Sequence, residues 1–223
     1  MKDFKIRCSC ISEIMTQPKT IKAREAGELS VTAMSYMQKW IKENFFDRKK
    51  IVETKQMRKG IDVEDSSIEL YGEVTNRKNL KKNEEHFEND WCTGTPDLLP
   101  AEIVTDIKSS WDLFTFPLFD NGIKTKGYWW QLQGYMWLTD RKKAELAYCL
   151  TDTPDDIVEQ ELRYVGEENK DAVMQNMLFG DIDSKYKVKV FAIERDDEAI
   201  EQIKEQVEKC RVYQKNLVNL FLK

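Results

Sequence analysis

One segment of the chain restricts its fold more than any other. Residues 144–151, AELAYCLT, form a nearly continuous apolar run of strand length. Such a run is typical of a central strand whose sheet is covered on both faces. The segment therefore predicts an α/β protein in which helices lie on both sides of a sheet.

Other periodic segments agree with an α/β arrangement. Apolar residues at helical spacing predict helices over residues 8–17, 29–46, 54–71, 128–139 and 196–221. Strand-like patterns fill residues 85–93, 102–109 and 185–194. The first two strands are expected to be neighbours joined through a corner at Gly94, Pro96 and Pro100, and the third is expected to lie near an edge.

The predicted helix over residues 54–71 contains a glycine in its middle. Gly60 costs this helix about 1 kcal/mol relative to alanine. Either the helix therefore starts near Gly60 or another group approaches it closely. The apolar residues expected to face inward are Met57, Ile61, Ile68 and Tyr71.

Length and composition indicate one folded domain over residues 1–223. The 223 residues suffice for one well-cored domain, and 41% apolar content with 11% aromatics excludes a disordered chain. The formal net charge of −5 argues against a protein that coats nucleic acid through bulk electrostatics. It does not exclude an acidic active site that binds cations, with basic clusters acting locally.

The cysteines and the start of the chain predict a cytoplasmic protein. Five cysteines stand at 8, 10, 92, 149 and 210, an odd number without paired CxxC spacing, which argues against a disulfide framework or a zinc site. The first residues lack an apolar leader core, and no later run is long and apolar enough to span a bilayer. We therefore expect no membrane partner.

Two carboxylates and a lysine carry the strongest chemical signal. The strand pattern over residues 102–109 sends Asp106 and Lys108 to one face, and Asp97 precedes that strand. Magnesium prefers oxygen ligands, so Asp97 and Asp106 are candidates to hold it while Lys108 orients or deprotonates a water. The alternative is a pair of solvated charges on an exposed strand, preceded by an ordinary Pro-Asp turn.

Two further groups of residues bear on the same chemistry. Glu64 lies on a predicted helix and is a candidate third acid; by itself it would more simply be a solvated glutamate. Gln131 and Tyr135 are four apart on one helical face, where an amide and a phenol can orient a lysine, a water or a phosphate. The alternative is an aromatic helix that buries its rings.

A third group lies at the start of the chain. Arg7, Ser9 and Ser12 place a cation and two hydroxyls at a predicted helix start, where an anion such as phosphate is favoured. Ser9 or Ser12 as an ordinary helix cap is the simpler interpretation. The single histidine, His86, stands in a charged region and is expected at the surface.

Taken in order, these motifs resemble the PD-(D/E)xK nuclease superfamily, and within it the phage-type exonucleases related to lambda exonuclease and the YqaJ group. That pattern comprises a helical acid, a Pro-Asp pair, an acid-x-Lys triplet and a QxxxY motif. The chain matches it with Glu64, Pro96-Asp97, Asp106-Ile107-Lys108 and Gln131 to Tyr135, over about residues 55–150. Asp106 stands where many relatives have glutamate. More loosely, RCSCISEIMT is similar to the serine-bearing helix that such exonucleases use near the DNA 5′ phosphate.

The resemblance implies a restriction-endonuclease-like core with a central mixed β-sheet flanked by α-helices, followed here by a long C-terminal helix. It also implies a magnesium-dependent deoxyribonuclease in which manganese can substitute, acting on linear duplex DNA in phage or prophage recombination inside a bacterial host. The ligands would be Glu64, Asp97, Asp106 and the Ile107 carbonyl, with Lys108 at the attacking water. Trp111, after this strand, is the tryptophan we would test for contact with DNA.

Partners and alternatives follow from the same resemblance. A single-strand annealing protein is an expected partner, and the long final helix is a candidate interface for a homo-oligomer. The iron-sulfur cluster of some related nucleases needs three cysteines behind the core, but here only Cys149 and Cys210 follow it, so no cluster is expected. The alternative function is a catalytically inactive DNA-binding or assembly module that keeps the nuclease fold.

Overall fold

The structure, a computed structural model, describes residues 2–222. Its helices in chain order are α1 (Ile11–Ile14), α2 (Ile21–Glu25), α3 (Val31–Phe45), α4 (Lys55–Asp62), α5 (Glu64–Val74), α6 (Lys126–Thr139), α7 (Asp155–Leu162), α8 (Lys170–Met177) and α9 (Asp197–Phe221). Its strands are β1 (Ile6–Arg7), β2 (Phe87–Glu88), β3 (Cys92–Gly94), β4 (Ile103–Ser109), β5 (Lys143–Cys149) and β6 (Val188–Glu194). No helix within residues 2–222 is both long and apolar enough to cross a membrane.

The larger sheet is the predicted central sheet, and it is mixed. Its order is β4-β5-β6, with β5 parallel to β4 and antiparallel to the edge strand β6. The register places Asp106 opposite Leu146 and Lys108 opposite Tyr148. The apolar run after residue 143 is thus the middle strand, as its composition predicted.

Helices cover both faces of this sheet. On one face, α1, α3, α6 and α9 pack around the largest apolar cluster, which includes Leu132, Met136 and Leu146. On the other face, α5 packs through Ile68 and Tyr71 against a second cluster. The predicted α/β class, with flanking helices and a long C-terminal helix, is therefore confirmed.

The prediction that residues 85–93 and 102–109 form neighbouring strands of one sheet was wrong. The first segment splits into β2 and β3, which pair with each other and with β1 in a separate sheet of order β1-β3-β2. Asn89 causes the split, because its side-chain oxygen accepts hydrogen bonds from the amides of Trp91 and Cys92, both at 2.9 Å, and forms a turn. Within residues 2–222, a single isolated bridge, between Leu98 and Thr105, joins the segment that follows β3 to β4.

The predicted helix over residues 54–71 is two helices. Val63, with φ −106° and ψ 13°, separates α4 from α5, so Glu64 is the first residue of its own helix. Ile68 and Tyr71 are buried as expected, but Met57 and Ile61 are exposed. Gly60 lies inside α4, and no atom beyond its chain neighbours and the backbone of its own helix lies within 4 Å of the position that a Cβ would occupy there, so neither reason proposed for that glycine holds.

Candidate active site

Strand β4 brings the acid and the amine of the Asp-x-Lys triplet together. Alternation along the strand sends Asp106 and Lys108 to the face covered by α6, while Ile107 packs into the opposite apolar cluster. Asp106 is only 1% exposed, and its Oδ2 lies 2.6 Å from the Lys108 ammonium. Burial lowers the pKa of Lys108, but the charges of Asp106 and Asp97 outweigh burial and raise it.

Backbone hydrogen bonds bring Asp97 to the same place. The Leu98–Thr105 bridge joins the segment that contains Asp97 to β4. The backbone N–H of Asn83 donates to the backbone carbonyl of Asp97 at 2.8 Å. The Asp97 Oδ2 in turn accepts a hydrogen bond from the Ile107 amide at 2.7 Å. Burial, followed by repulsion from Asp106, raises the pKa of Asp97 to about 7.

Helix α6 holds Asp106 in one orientation. The Gln131 amide nitrogen donates to Asp106 Oδ1 at 2.9 Å and to the Tyr135 hydroxyl at 3.1 Å. A Cβ at Gly94 would lie 2.6 Å from Tyr135 Cε1, so this glycine lets the tyrosine ring pack directly on β3. Gln131 thus contacts the carboxylate of Asp106, which lies 25 residues earlier in the chain, and Tyr135 contacts Gln131.

Glu64 lies at the edge of this cluster. As the first residue of α5, its side chain is 22% exposed and accepts from Lys82 at 2.6 Å. It is near enough for its charge to contribute, as the smallest of the causes, to the raised pKa of Asp97. The sequence did not predict this role for Lys82. Its ammonium forms an ion pair with the carboxylate that was expected to bind the metal.

The two aspartates suit a divalent cation that keeps part of its water. Asp106 Oδ2 is buried, and no hydrogen-bond donor within residues 2–222 meets it with ordinary geometry; its contact is the ion pair with Lys108. Two neighbouring carboxylates repel each other, and a cation would relieve that repulsion. In the described chain no three acidic, histidine or cysteine side chains lie close enough to share one ion, and the Glu64 carboxylate is paired with Lys82.

The residues at the start of the chain separate into two places. Arg7 and Ser9 line a cavity of about 160 Å³ together with His86 and Tyr135, next to the aspartate cluster. Ser12 packs instead at the start of α6, with its Oγ 3.3 Å from the Cβ position of Gly127. The helix-cap interpretation was wrong for both serines, because neither accepts a capping hydrogen bond; the local turn is a 3₁₀ helix over Cys8–Cys10 followed by α1.

Trp111 is half-buried. Its side chain packs against a small cluster formed by Ile157, Val158 and Met177. Its carbonyl oxygen accepts a hydrogen bond from Lys59 at 2.9 Å. The most exposed aromatic side chains of the segment that follows β4 are instead those of Phe114 and Phe119. His86 is exposed, as expected, with Nδ1 3.1 Å from the Thr95 hydroxyl.

Two tyrosines beside Lys108 were missed in the sequence. The Lys108 ammonium lies 5.1 Å from the centre of the Tyr128 ring, and Tyr148 is its partner across the β4–β5 pair. A helical signal for Tyr128 was available, since it precedes Gln131 by three residues and so shares its face. Tyr148 carried no such signal, because its neighbourhood depends on strand pairing.

Comparison with solved structures gives similarity over nearly the whole chain. A phage-related exonuclease from Haemophilus somnus 129PT has a TM-score of 0.85 and 31% identity, covering 99% of this chain and 97% of that one. The alkaline exonuclease LHK-Exo from Laribacter hongkongensis, solved also in complex with dAMP, has a TM-score of 0.67 and 17% identity, covering 97% and 91%. No protein-family model and no curated protein matches the sequence.

Proposed function

Since the chain belongs to the phage-type exonucleases of the PD-(D/E)xK nuclease superfamily, we propose that it is a magnesium-dependent exonuclease of linear duplex DNA. The observation that carries this proposal is the meeting of Asp106 and Lys108 on one side of β4, with Asp97 bonded to the Ile107 amide between them and Gln131 fixing Asp106. A role in phage or prophage recombination, beside a single-strand annealing protein, is the biological setting that we propose.

The residues that would hold the cation are Asp97, Asp106 and the Ile107 carbonyl, joined by Glu64 once it is released from Lys82. A bound magnesium ion would supply a polarised water and charge stabilisation for the phosphate. The chain itself supplies the ammonium of Lys108, which positions the attacking water and stabilises negative charge on the phosphate oxygens. Gln131, held by Tyr135, keeps Asp106 in the orientation that faces Lys108.

Nuclease assays on matched variants test the proposal. With magnesium, the wild-type protein should release nucleotides from linear duplex DNA and leave closed circular DNA intact. Asp106→Asn and Lys108→Met should each lower the rate by about 100-fold or more, because the first removes a charged metal ligand and the second removes the ammonium that stabilises the phosphate. Glu205→Gln, at an exposed position of α9, is the control and should cleave as the wild type does. Unchanged rates in both site variants would refute the assignment.

Metal titration separates an active nuclease from an inactive DNA-binding relative. Calorimetry should detect binding of magnesium or manganese to the wild-type protein, and Asp97→Ala should lose it, because one of two buried carboxylate ligands is gone. A protein in which neither form binds either ion, yet both bind DNA, would be the inactive module.

A further inference from the structure

Tyr128 extends the Gln131–Tyr135 face of α6 by one turn. It precedes Gln131 by three residues and Tyr135 by seven, which places all three on one side of the helix. Gln131 donates a hydrogen bond to the Asp106 carboxylate and another to the Tyr135 hydroxyl. Tyr128 faces the other charged partner, because its ring centre lies 5.1 Å from Lys108 Nζ. One helical face therefore meets both members of the ion pair.

Aromatic neighbours hold the Tyr128 ring in place. It meets the ring of Tyr148 edge-on, with centroids 6.3 Å apart and an interplanar angle of 71°. Tyr148 in turn packs edge-on against Phe191 of β6, with centroids 6.0 Å apart at 88°. Such T-shaped contacts favour defined ring orientations. The ring beside Lys108 is consequently fixed from the sheet as well as from α6.

Under the proposed function, Lys108 requires a second contact that restrains its ammonium when Asp106 binds the metal. Lysine has a long, flexible side chain, and holding it in one rotamer costs up to about 2 kcal/mol in entropy. In the structure the Asp106 carboxylate provides that restraint at 2.6 Å. The proposed function gives the same carboxylate to magnesium, which weakens its hold on the ammonium. The face of an aromatic ring attracts an ammonium but is a poor ligand for magnesium, which prefers oxygen.

We propose that Tyr128 is a positioning residue whose ring face holds the Lys108 ammonium at the reacting phosphate when Asp106 binds the metal. This inference rests on the proposed function and adds a residue to it. A residue that only filled space could be replaced by leucine, whereas the ring-face role requires an aromatic side chain. The hydroxyl group is not required, so phenylalanine should serve.

Nuclear magnetic resonance tests the contact without any catalysis. In protein labelled with ¹³C in lysine, the ε-methylene signal of Lys108, identified by its loss in Lys108→Arg, should be shifted upfield by the ring. The shift should persist when magnesium is added. Tyr128→Phe should keep it, and Tyr128→Leu should return the signal to the ordinary lysine position. An ordinary position in the wild-type protein would overturn the inference.

Steady-state kinetics test the consequence. Tyr128→Leu should lower kcat by about 2- to 30-fold with KM little changed, the range that loss of one cation–π contact supports. Tyr128→Phe should restore kcat. Trp129→Leu, one residue along α6, removes a ring that lines a different cavity and is the matched control. Equal loss in the phenylalanine and leucine variants, or no loss in either, would overturn the inference.

The outcomes of the two proposals are distinguishable. If the wild-type protein does not cleave DNA, the proposed function fails, and the upfield shift in the presence of magnesium still decides whether the ring holds the ammonium. A different result would separate them the other way: the wild-type protein cleaves DNA, Asp106→Asn is inactive and Tyr128→Leu is fully active. In that case the proposed function stands, and the positioning role of Tyr128 is wrong.

Discussion

Lys59 is a buried cation outside the proposed catalytic cluster. It is 1% exposed, donates to the Trp111 carbonyl at 2.9 Å and lies 5.5 Å from the Phe179 ring. Burial lowers its pKa to about 8, although the charges of Asp112 and Asp152 oppose the shift. The hydrogen bond from Lys59 to Trp111 therefore joins α4, the helix before Glu64, to the segment that follows β4.

Stability should depend on pH through this lysine. Between about pH 8 and pH 10.5 the folded protein loses the Lys59 proton while the unfolded chain keeps it. The unfolded state then binds more protons, so the free energy of unfolding gains up to about 3 kcal/mol from Lys59 as pH rises, and loses this gain below pH 8. The free energy of unfolding of the wild-type protein and of Lys59→Met is measured by urea unfolding at about pH 7 and about pH 10. The wild-type value minus the Lys59→Met value should be larger at about pH 10. A difference independent of pH would contradict it.

At the scale of elements, α6 depends on close approach to the start of the chain. A Cβ at Gly134 would lie 2.6 Å from Ile11 Cδ1 and 2.8 Å from Cys8 Sγ. Glycine therefore lets the helix pack directly on the 3₁₀ turn and α1, and this packing places Gln131 against β4. The same residue type has no such role at Gly60 in α4, where the space is open.

These two helical glycines should respond to alanine in opposite directions. Gly60→Ala should raise the free energy of unfolding by up to about 1 kcal/mol, because alanine favours the helix and meets no atom. Gly134→Ala gains the same propensity but overpacks a filled interface, so we expect a net loss of about 1–2 kcal/mol. Urea unfolding of both variants measures the difference, and a stabilised Gly134→Ala protein would show that α6 has room to move.

At the scale of the whole molecule, α9 holds the first residues of the chain. The buried Gln214 side chain accepts from the Phe4 amide at 3.2 Å and donates to the Lys2 carbonyl at 3.0 Å. Arg211 donates to the Phe4 carbonyl at 3.0 Å. These bonds span more than 200 residues of sequence and fix the segment that continues into β1 and Arg7. The long last helix thus supports the cavity beside the aspartate cluster from a distance.

Removing the Gln214 amide should loosen this connection. Gln214→Leu leaves the Phe4 amide and the Lys2 carbonyl without that partner, and we expect a loss of about 1–3 kcal/mol in the free energy of unfolding. Gln202→Leu, at an exposed position of the same helix, makes the same chemical change without breaking such bonds. Thermal or urea unfolding of the pair measures the effect. Equal stability of the two variants would argue against a restraint by Gln214.

Local pattern alone determined several features of this protein. The apolar run of β5, the alternation of β4 and the helical spacing of α3 and α9 each follow from which side of an element is buried, and that is encoded in neighbouring residues. For the same reason the spacing of Asp106 and Lys108, and of Gln131 and Tyr135, predicted which side chains share a face.

Only the tertiary structure decided what those faces meet. Strand pairing assigned residues 85–93 to a second sheet, and a break at Val63 placed Glu64 at a helix start beside Lys82. The ring of Tyr128 over Lys108 likewise depends on how α6 lies across β4. Such contacts join residues far apart in the chain, and their geometry is set by the packing of whole elements and not by local periodicity.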